Sequence, residues 1–312
     1  MPAKIIFSPS LDIYFRCGTI PTVVIGCVVV HLKGGYMGKK GMKIHLLIID
    51  PQNDFCDIPG ATLPVPGADA DMKRLAKFVD RVGQRLEDIH VTLDSHRKFA
   101  IFHDMFWRDE KGKPPAPFTL ISAADIKAEI WKTRVEAHRS RAIAYAEALE
   151  ASSQYKICIW PTHCLIGTWG HNVHTELNES LQNWSDRYIA MVDYVTKGSN
   201  PFTEHYGALK SEVPDPADPS TQLNIALLQM LQSADMIVVG GEAASHCVLT
   251  TVNQIADNIG EEHIKKFHLL TDCMSPVPAI PNVIDFPAIT KQWYKDMGKR
   301  GMTLTSSVDF LN

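Results

Sequence analysis

The side chains able to do chemistry cluster at the ends of short apolar runs. Asp50 closes the run Ile44–Ile49. Asp94 and His96 follow a second run, and His163 ends Trp160-Pro161-Thr162-His163 after a third. Lys197 precedes Gly198, and Cys247 ends a stretch that opens with Gly240-Gly241. A thiol, a cation and a carboxylate are the parts of nucleophilic acyl transfer. A free thiol has a pKa of ~8.5, helix ends and cations lower it, and a carboxylate can collect the proton. Cys247 lies between a glycine turn and an amphipathic stretch, so a helix N-terminus would favour its thiolate, with Lys197 as cation and Asp50 as base. An arbitrary Cys is more often a buried structural residue and an arbitrary Lys a solvated one; the strand-end context reverses that balance here.

A second constellation suits a metal. Asp94 and His96 are two residues apart, so on extended backbone their side chains leave the same face. A carboxylate and two imidazoles, with His163 as the third ligand, suit zinc first, with iron or manganese as alternatives, in a site that keeps positions open. Asp-x-His alone is a weak signal; a further His after the next run strengthens it. His103 is another candidate ligand, an exposed loop histidine being an equally good reading. His171 and His174 read as helix-surface residues.

These groups can meet only if the runs are strands of one sheet. The expected strands are Ile44–Ile49, Ile89–Leu93, Lys156–Ile159, Tyr188–Val192, Met236–Val239 and Phe267–Leu270. They are short and largely apolar, as in a parallel sheet buried on both faces. Helical stripes intervene: Met72, Leu75, Val79, Val82 and Leu86; a helix starting at Asp218-Pro219 with Leu223, Leu227, Leu228 and Leu231; and Val248, Val252, Ile255 and Ile259 before Gly260. The fold class that follows is a three-layer α/β sandwich on a six-stranded, mostly parallel sheet, which gathers reactive groups beyond the carboxyl ends of its strands. Residues 97–154 interrupt the rhythm as an insertion, helical from Ala123 to Ser152. It would be a lid or interface element, or an inert excursion. Residues 199–220 read as loop.

Composition narrows the class. The 312 residues are 45% hydrophobic and 21% charged, with net charge −4. That is an ordinary globular balance, with no basic surplus pointing to nucleic acid or an anionic membrane. The 7 cysteines are irregularly spaced with no Cys-x-x-Cys pair, which argues against a disulfide framework and for a reducing, cytoplasmic setting. The run Ile20–Leu32 is shorter than the ~20 residues that cross a bilayer. Residues 1–41 look unlike the rest and are expected to be an extension or start-site artefact outside a core domain of residues 42–312. A homo-oligomer is left open.

Taken together, Ile48 to Phe55, Leu93 to His96, Trp160 to Cys164, Thr196 to Gly198 and Gly240 to Val248 resemble, in order, the nicotinamidase/pyrazinamidase branch of the isochorismatase-like cysteine hydrolases. The resemblance runs from Met42 nearly to the C-terminus. It implies an Asp–Lys–Cys triad of Asp50, Lys197 and Cys247, and a divalent metal on Asp94, His96 and His163 that holds a pyridine nitrogen. Phe55 and Trp160 would wall the ring. The backbone N–H groups of Ala243 and Cys247 would form the oxyanion hole, with a cis peptide at Glu242–Ala243. The implied activity is hydrolysis of nicotinamide, or a close heteroaromatic amide, to the acid and ammonia, a step of NAD salvage. Rival readings are a metal-free carbamoyl or ureido hydrolase of the same family and a non-catalytic binding protein. Three departures stand out: Ser95 replaces an aromatic between Asp94 and His96, His246 stands where an aromatic often precedes the nucleophile, and the insertion at residues 97–154 enlarges the chain well beyond a minimal member.

Overall fold

Alternation decides which core each residue of the first strand serves. In β1 (Ile44–Ile49) Leu46 and Ile48 enter one apolar cluster, while Leu47 and Ile49 enter another on the opposite face. The computed structural model describes residues 41–153, 156–279 and 284–312. The expectation for residues 1–41 therefore lies, but for its last residue, outside the described residues.

The elements follow as α1 (Ala68–Val82), β2 (Leu86–Asp94), β3 (Trp107–Arg108), β4 (Leu120–Ile121), α2 (Ala123–Lys127), β5 (Lys132–Thr133), α3 (Arg139–Ser153) and β6 (Ile157–Cys158). Next come α4 (Thr175–Tyr188), β7 (Val192–Lys197), α5 (Ile225–Ser233), β8 (Met236–Gly241), α6 (Cys247–Asn258), α7 (Glu261–Ile264), β9 (Phe267–Leu270), α8 (Phe286–Arg300) and β10 (Thr303–Thr305). The six-stranded sheet runs β10-β9-β8-β1-β2-β7, and all its pairs are parallel. Helices α1 and α4 cover one face through Met72, Leu75, Leu177 and Trp184. Helices α5, α6 and α8 cover the other through Leu227, Val248, Ile255 and Trp293. Each such fully buried aliphatic side chain contributes about 1.5–3 kcal/mol relative to exposure. The three-layer α/β sandwich is thus as expected. The chain leaves β1 first towards β2 and later returns to its other side as β8, so a crevice opens beyond the carboxyl ends of these central strands.

Several local expectations are corrected. Residues 156–159 do not enter the sheet: Ile157–Cys158 pairs antiparallel with β4. The sixth place belongs to β10, whose Thr-Leu-Thr is too short and polar to stand out. The Tyr188–Val192 strand begins only at Val192, because α4 runs on to Tyr188 and Ile189 turns left-handed at φ 51°. Trp184 anchors that last turn, its Nε1–H donating to Gly83 O at 3.0 Å. Asp218 caps only a 3₁₀ turn; the helix begins at Ile225, where the Asn224 side chain accepts the Leu227 N–H at 3.0 Å.

The 97–154 segment is not one long helix. It breaks into α2 and α3 around β5, and two small antiparallel ladders, β3–β5 and β4–β6, tie it down. It has its own core of Phe102, Phe106, Trp107, Ile121, Ile126, Tyr145 and Leu149. That core presents Phe118 and Trp160 to the crevice.

Candidate active site

Parallel register brings the strand ends together. Asp94 pairs with Lys197 across β2 and β7, and Ile49 pairs with Gly241 across β1 and β8. The adjoining turns then set the side chains. Asp50 leaves β1 at φ 44°, a left-handed conformation uncommon for a non-glycine residue. Its N–H donates to Thr92 Oγ1 at 3.0 Å, and the Thr92 hydroxyl donates back to Asp50 Oδ1 at 2.6 Å. Gly241 must be glycine: a Cβ there would lie 2.1 Å from Ile49 O. Gly198, at φ 80°, leaves the space that His96 Cε1 and Asp94 Oδ1 fill, 2.6 and 2.9 Å from where a Cβ would stand.

Lys197 is the hub, its side chain only 1% exposed. Its ammonium lies 2.8 Å from Asp50 Oδ2 and 2.9 Å from Asp94 Oδ1. It donates to His205 O at 2.9 Å and lies 3.7 Å from Cys247 Sγ. Burial works to strip its proton, yet the two carboxylates hold its pKa well above the ordinary lysine value. Burial raises the Asp50 carboxyl against the opposing pull of Lys197. Burial also pushes the Cys247 thiol well up; Lys197 opposes this, and the nearby Asp50 carboxylate adds to it. The expectation that the helix end favours a resting thiolate is therefore corrected. Cys247 does begin α6, but desolvation outweighs the cation and the helix end, and the proton stays on sulfur. Asp50, itself made a stronger base by burial, is in place to take it.

The Glu242–Ala243 peptide is cis. Among the described residues, the N–H groups of Ala243 and Cys247 make no hydrogen bond to another protein group, while their neighbours Ala244, His246 and Val248 do. Two backbone donors are thus left free beside the thiol.

Asp94, His96 and His163 form a buried group whose ligand atoms lie within 4.8 Å of one another. The Nδ1 atoms of His96 and His163 face Gly198 O at 3.0 Å and Pro161 O at 2.8 Å. A carbonyl only accepts, so each Nδ1 carries the hydrogen, and Nε2 offers a lone pair whenever the ring is neutral; burial works against a charged His96 but the Asp94 carboxylate raises its pKa. Both Nε2 atoms point at Asp94 Oδ2, at 2.9 and 3.6 Å. Three groups able to offer lone pairs converge on one point, an arrangement that suits a cation. Ligands about 2.0–2.2 Å from a tetrahedral zinc stand roughly 3.3–3.5 Å apart, so the spacing fits. Burial lowers the pKa of His163, keeping it neutral and ready to ligate. Burial opposes ionisation of Asp94 but is outweighed by His96 and Lys197, which hold its carboxyl well below the ordinary range.

A cavity of about 430 Å³ opens over this centre, lined by Phe55, Leu63, Val65, Phe118, Trp160, Tyr206 and His246 as well as Asp94, His163, Ala243 and Cys247. Phe55 and His163 rings lie 5.4 Å apart, and Trp160 stands edge-on to Phe118 at 5.9 Å.

Other histidine readings change. His103 is buried rather than exposed. Its ring stands edge-on to His96 and His163 at 5.7 and 5.6 Å, and its Nε2 has no hydrogen-bond partner. His174 is buried at the start of α4 with Nε2 3.0 Å from Asp69 Oδ1. His171 is part-buried, its Nε2 2.8 Å from Ser95 Oγ. Neither is a helix-surface residue, and Ser95 turns to His171 instead of edging the pocket. Sequence reasoning missed Thr92, Glu204 and Tyr206. Glu204, buried and raised to about 7 by desolvation, lines the cavity beside Tyr206, and Trp160 Nε1 lies 3.2 Å from both Glu204 Oε2 and Tyr206 Oη. For Glu204 and Tyr206 the only signal was a place in the loop following Lys197, and for Thr92 a place in β2 two residues before Asp94.

The backbone is that of a known class of three-layer α/β fold. A nicotinamidase/pyrazinamidase of Acinetobacter baumanii superposes with TM-score 0.54 at 20% identity, covering 88% of this chain and all (100%) of that one. The yeast nicotinamidase superposes with TM-score 0.56 at 17% identity, covering 84% and 99%. Its complex with the inhibitor nicotinaldehyde gives TM-score 0.55, with the same identity and coverage. No protein-family model matches the chain, and no curated protein matches it by sequence. At these identities the likeness establishes the isochorismatase-like α/β fold, and function has to come from the site.

Proposed function

We propose that this protein is a cysteine-dependent amide hydrolase that converts nicotinamide, or a close heteroaromatic amide, to the carboxylic acid and ammonia. One observation carries the reading: the Lys197 ammonium touches Asp50, Asp94 and Cys247 Sγ at once, on the floor of an aromatic cavity beside a three-ligand metal set. The solved structures with this fold include nicotinamidases, and the aromatic walls suit a planar ring.

The chain's own groups account for the steps. Asp50 accepts the Cys247 proton as sulfur attacks the amide carbonyl, and Lys197, 3.7 Å from Sγ, balances the negative charge that develops on the sulfur. The free N–H groups of Ala243 and Cys247 receive the oxyanion; each donor of this kind contributes about 3–4 kcal/mol. Asp50 hands its proton to the leaving nitrogen, ammonia departs, and a thioester remains. Water, deprotonated by Asp50, then releases the acid and restores the thiol. Phe55 and Trp160 position the ring, and such orientation removes a large share of the barrier. Asp94, His96 and His163 would hold a divalent metal, zinc first by its ligand set, which when bound supplies a Lewis-acidic site for a ring nitrogen.

The test is ammonia release from nicotinamide by metal-replete protein, with Cys247→Ala alongside. Turnover that disappears in the variant supports the assignment. No turnover by the wild-type protein, or turnover that survives the substitution, refutes it.

A further inference from the structure

The residue before the nucleophile lines the cavity and carries an unused hydrogen-bond donor. His246 Nδ1 lies 2.8 Å from Ser245 Oγ. That oxygen already accepts the Val277 N–H at 3.0 Å. Among the described residues the Ser245 hydroxyl has no acceptor other than Nδ1, so its hydrogen goes there, and a neutral imidazole then carries its own hydrogen on Nε2. Burial keeps the ring neutral, lowering its pKa to about 4. Nε2 has no protein partner among the described residues, although His246 lies among the residues lining the cavity. The ring is clamped against Phe286 at 4.7 Å, Trp160 at 5.7 Å and Tyr206 at 6.1 Å. A phenyl ring would pack there equally well, so packing alone leaves the nitrogen unexplained.

The cavity also has room to spare. Its volume of about 430 Å³ equals roughly fourteen waters at ~30 Å³ each, far more than a single-ring amide fills. A half-buried donor on the wall of a largely apolar cavity loses its water when a ligand covers it, so it disfavours a ligand that offers it no acceptor and selects for one that does. From these observations we infer that His246 is a specificity determinant, and that the preferred substrate is a heteroaromatic amide whose ring carries an oxygen acceptor, a hydroxyl or carboxylate, meeting His246 Nε2–H. This deepens the amide hydrolase reading and rests on it for the bond that is broken.

Two measurements separate this inference from that reading. The first is kcat/KM for nicotinamide and for nicotinamides bearing a ring hydroxyl or carboxylate, in metal-replete wild-type protein, His246→Phe and His246→Gln. Wild-type protein should favour an oxygenated amide. His246→Phe, which keeps the ring packing and removes the donor, should cut that preference about tenfold, and His246→Gln, which restores an N–H, should recover most of it. A preference that is absent, or unchanged in His246→Phe, overturns the inference. The second is calorimetric binding of the same amides to Cys247→Ala with and without His246→Phe, which reads selectivity without turnover. Binding that favours oxygenated amides through His246, when the wild-type protein releases no ammonia from any of them, upholds the recognition role and sinks the hydrolase reading. Turnover of nicotinamide with no selectivity dependent on His246 does the reverse.

Discussion

Replacing Lys197 with Met tests the site where its charges are most tightly balanced. The ammonium compensates two carboxylates whose side chains are 0% and 6% exposed, at 2.8 and 2.9 Å. Methionine keeps much of the length and removes the charge. Breaking a buried pair by deleting one partner costs about 3–5 kcal/mol, because the remaining charge is left without compensation. For a domain of this size that lowers Tm by roughly 6–20 °C. The cost should depend on pH. Asp50 already has a folded-state pKa raised above its usual 3.8, so its contribution to stability is full below that value and is lost as pH rises through the raised one. Losing Lys197 removes what holds this rise in check. The pKa climbs further, and the variant falls behind wild type increasingly as pH rises above about 4. Thermal melts of both proteins after chelation, across a pH series, measure this directly. Ammonia release should drop on the order of 10²–10⁴-fold, the usual value of a working acid–base group. A Lys197→Met protein that melts within a degree or two of wild type at neutral pH would refute the account of a charge-compensating hub.

Three further outcomes follow from named contacts. Glu242 is buried, accepts the Ser275 N–H at 3.2 Å and is hydrogen-bonded to Asp71; burial, then Asp71, raises its carboxyl well above its usual 4.5. Stability should therefore decline as pH rises above about 4.5, and Glu242→Gln, which offers the same acceptor and donor without ionising, should flatten that slope; parallel Tm–pH curves would argue otherwise. Gly198→Ala should weaken zinc binding about 10–100-fold, since the new Cβ would stand 2.6 Å from His96 Cε1; competition against a chromogenic chelator reads it, and an affinity within twofold of wild type contradicts the geometry. Because burial keeps the Cys247 thiol protonated, iodoacetamide labelling of Cys247 followed by mass spectrometry should accelerate about tenfold per pH unit above neutrality; a flat rate would mean a resting thiolate.

Much of the candidate site was legible because its side chains sit at strand ends, where sequence patterns are sharpest. Asp50, Asp94, Lys197 and Cys247 each announce themselves by type and by a preceding apolar run, and the period of the helical stripes marks α1 and α6 as packing faces. A mostly parallel six-stranded sheet follows from those local signals. What only the tertiary structure decided is what depends on neighbours distant in the chain. Ile157–Cys158 reads like a central strand, yet a partner in the insertion claims it, and the short Thr303–Thr305 takes the edge because β9 is there to pair with it. The balance at Cys247 is likewise a tertiary matter: a helix end and a lysine lower a thiol's pKa, but desolvation by the surrounding core outweighs both. Glu204, Tyr206 and the free nitrogen of His246 carry no local signature, because their roles exist only once Phe118 of the insertion and Trp160, packed against the insertion's core, stand along the cavity wall. Local sequence determined which residues stand at the strand ends; burial and long-range contact decided their protonation and what they can recognise.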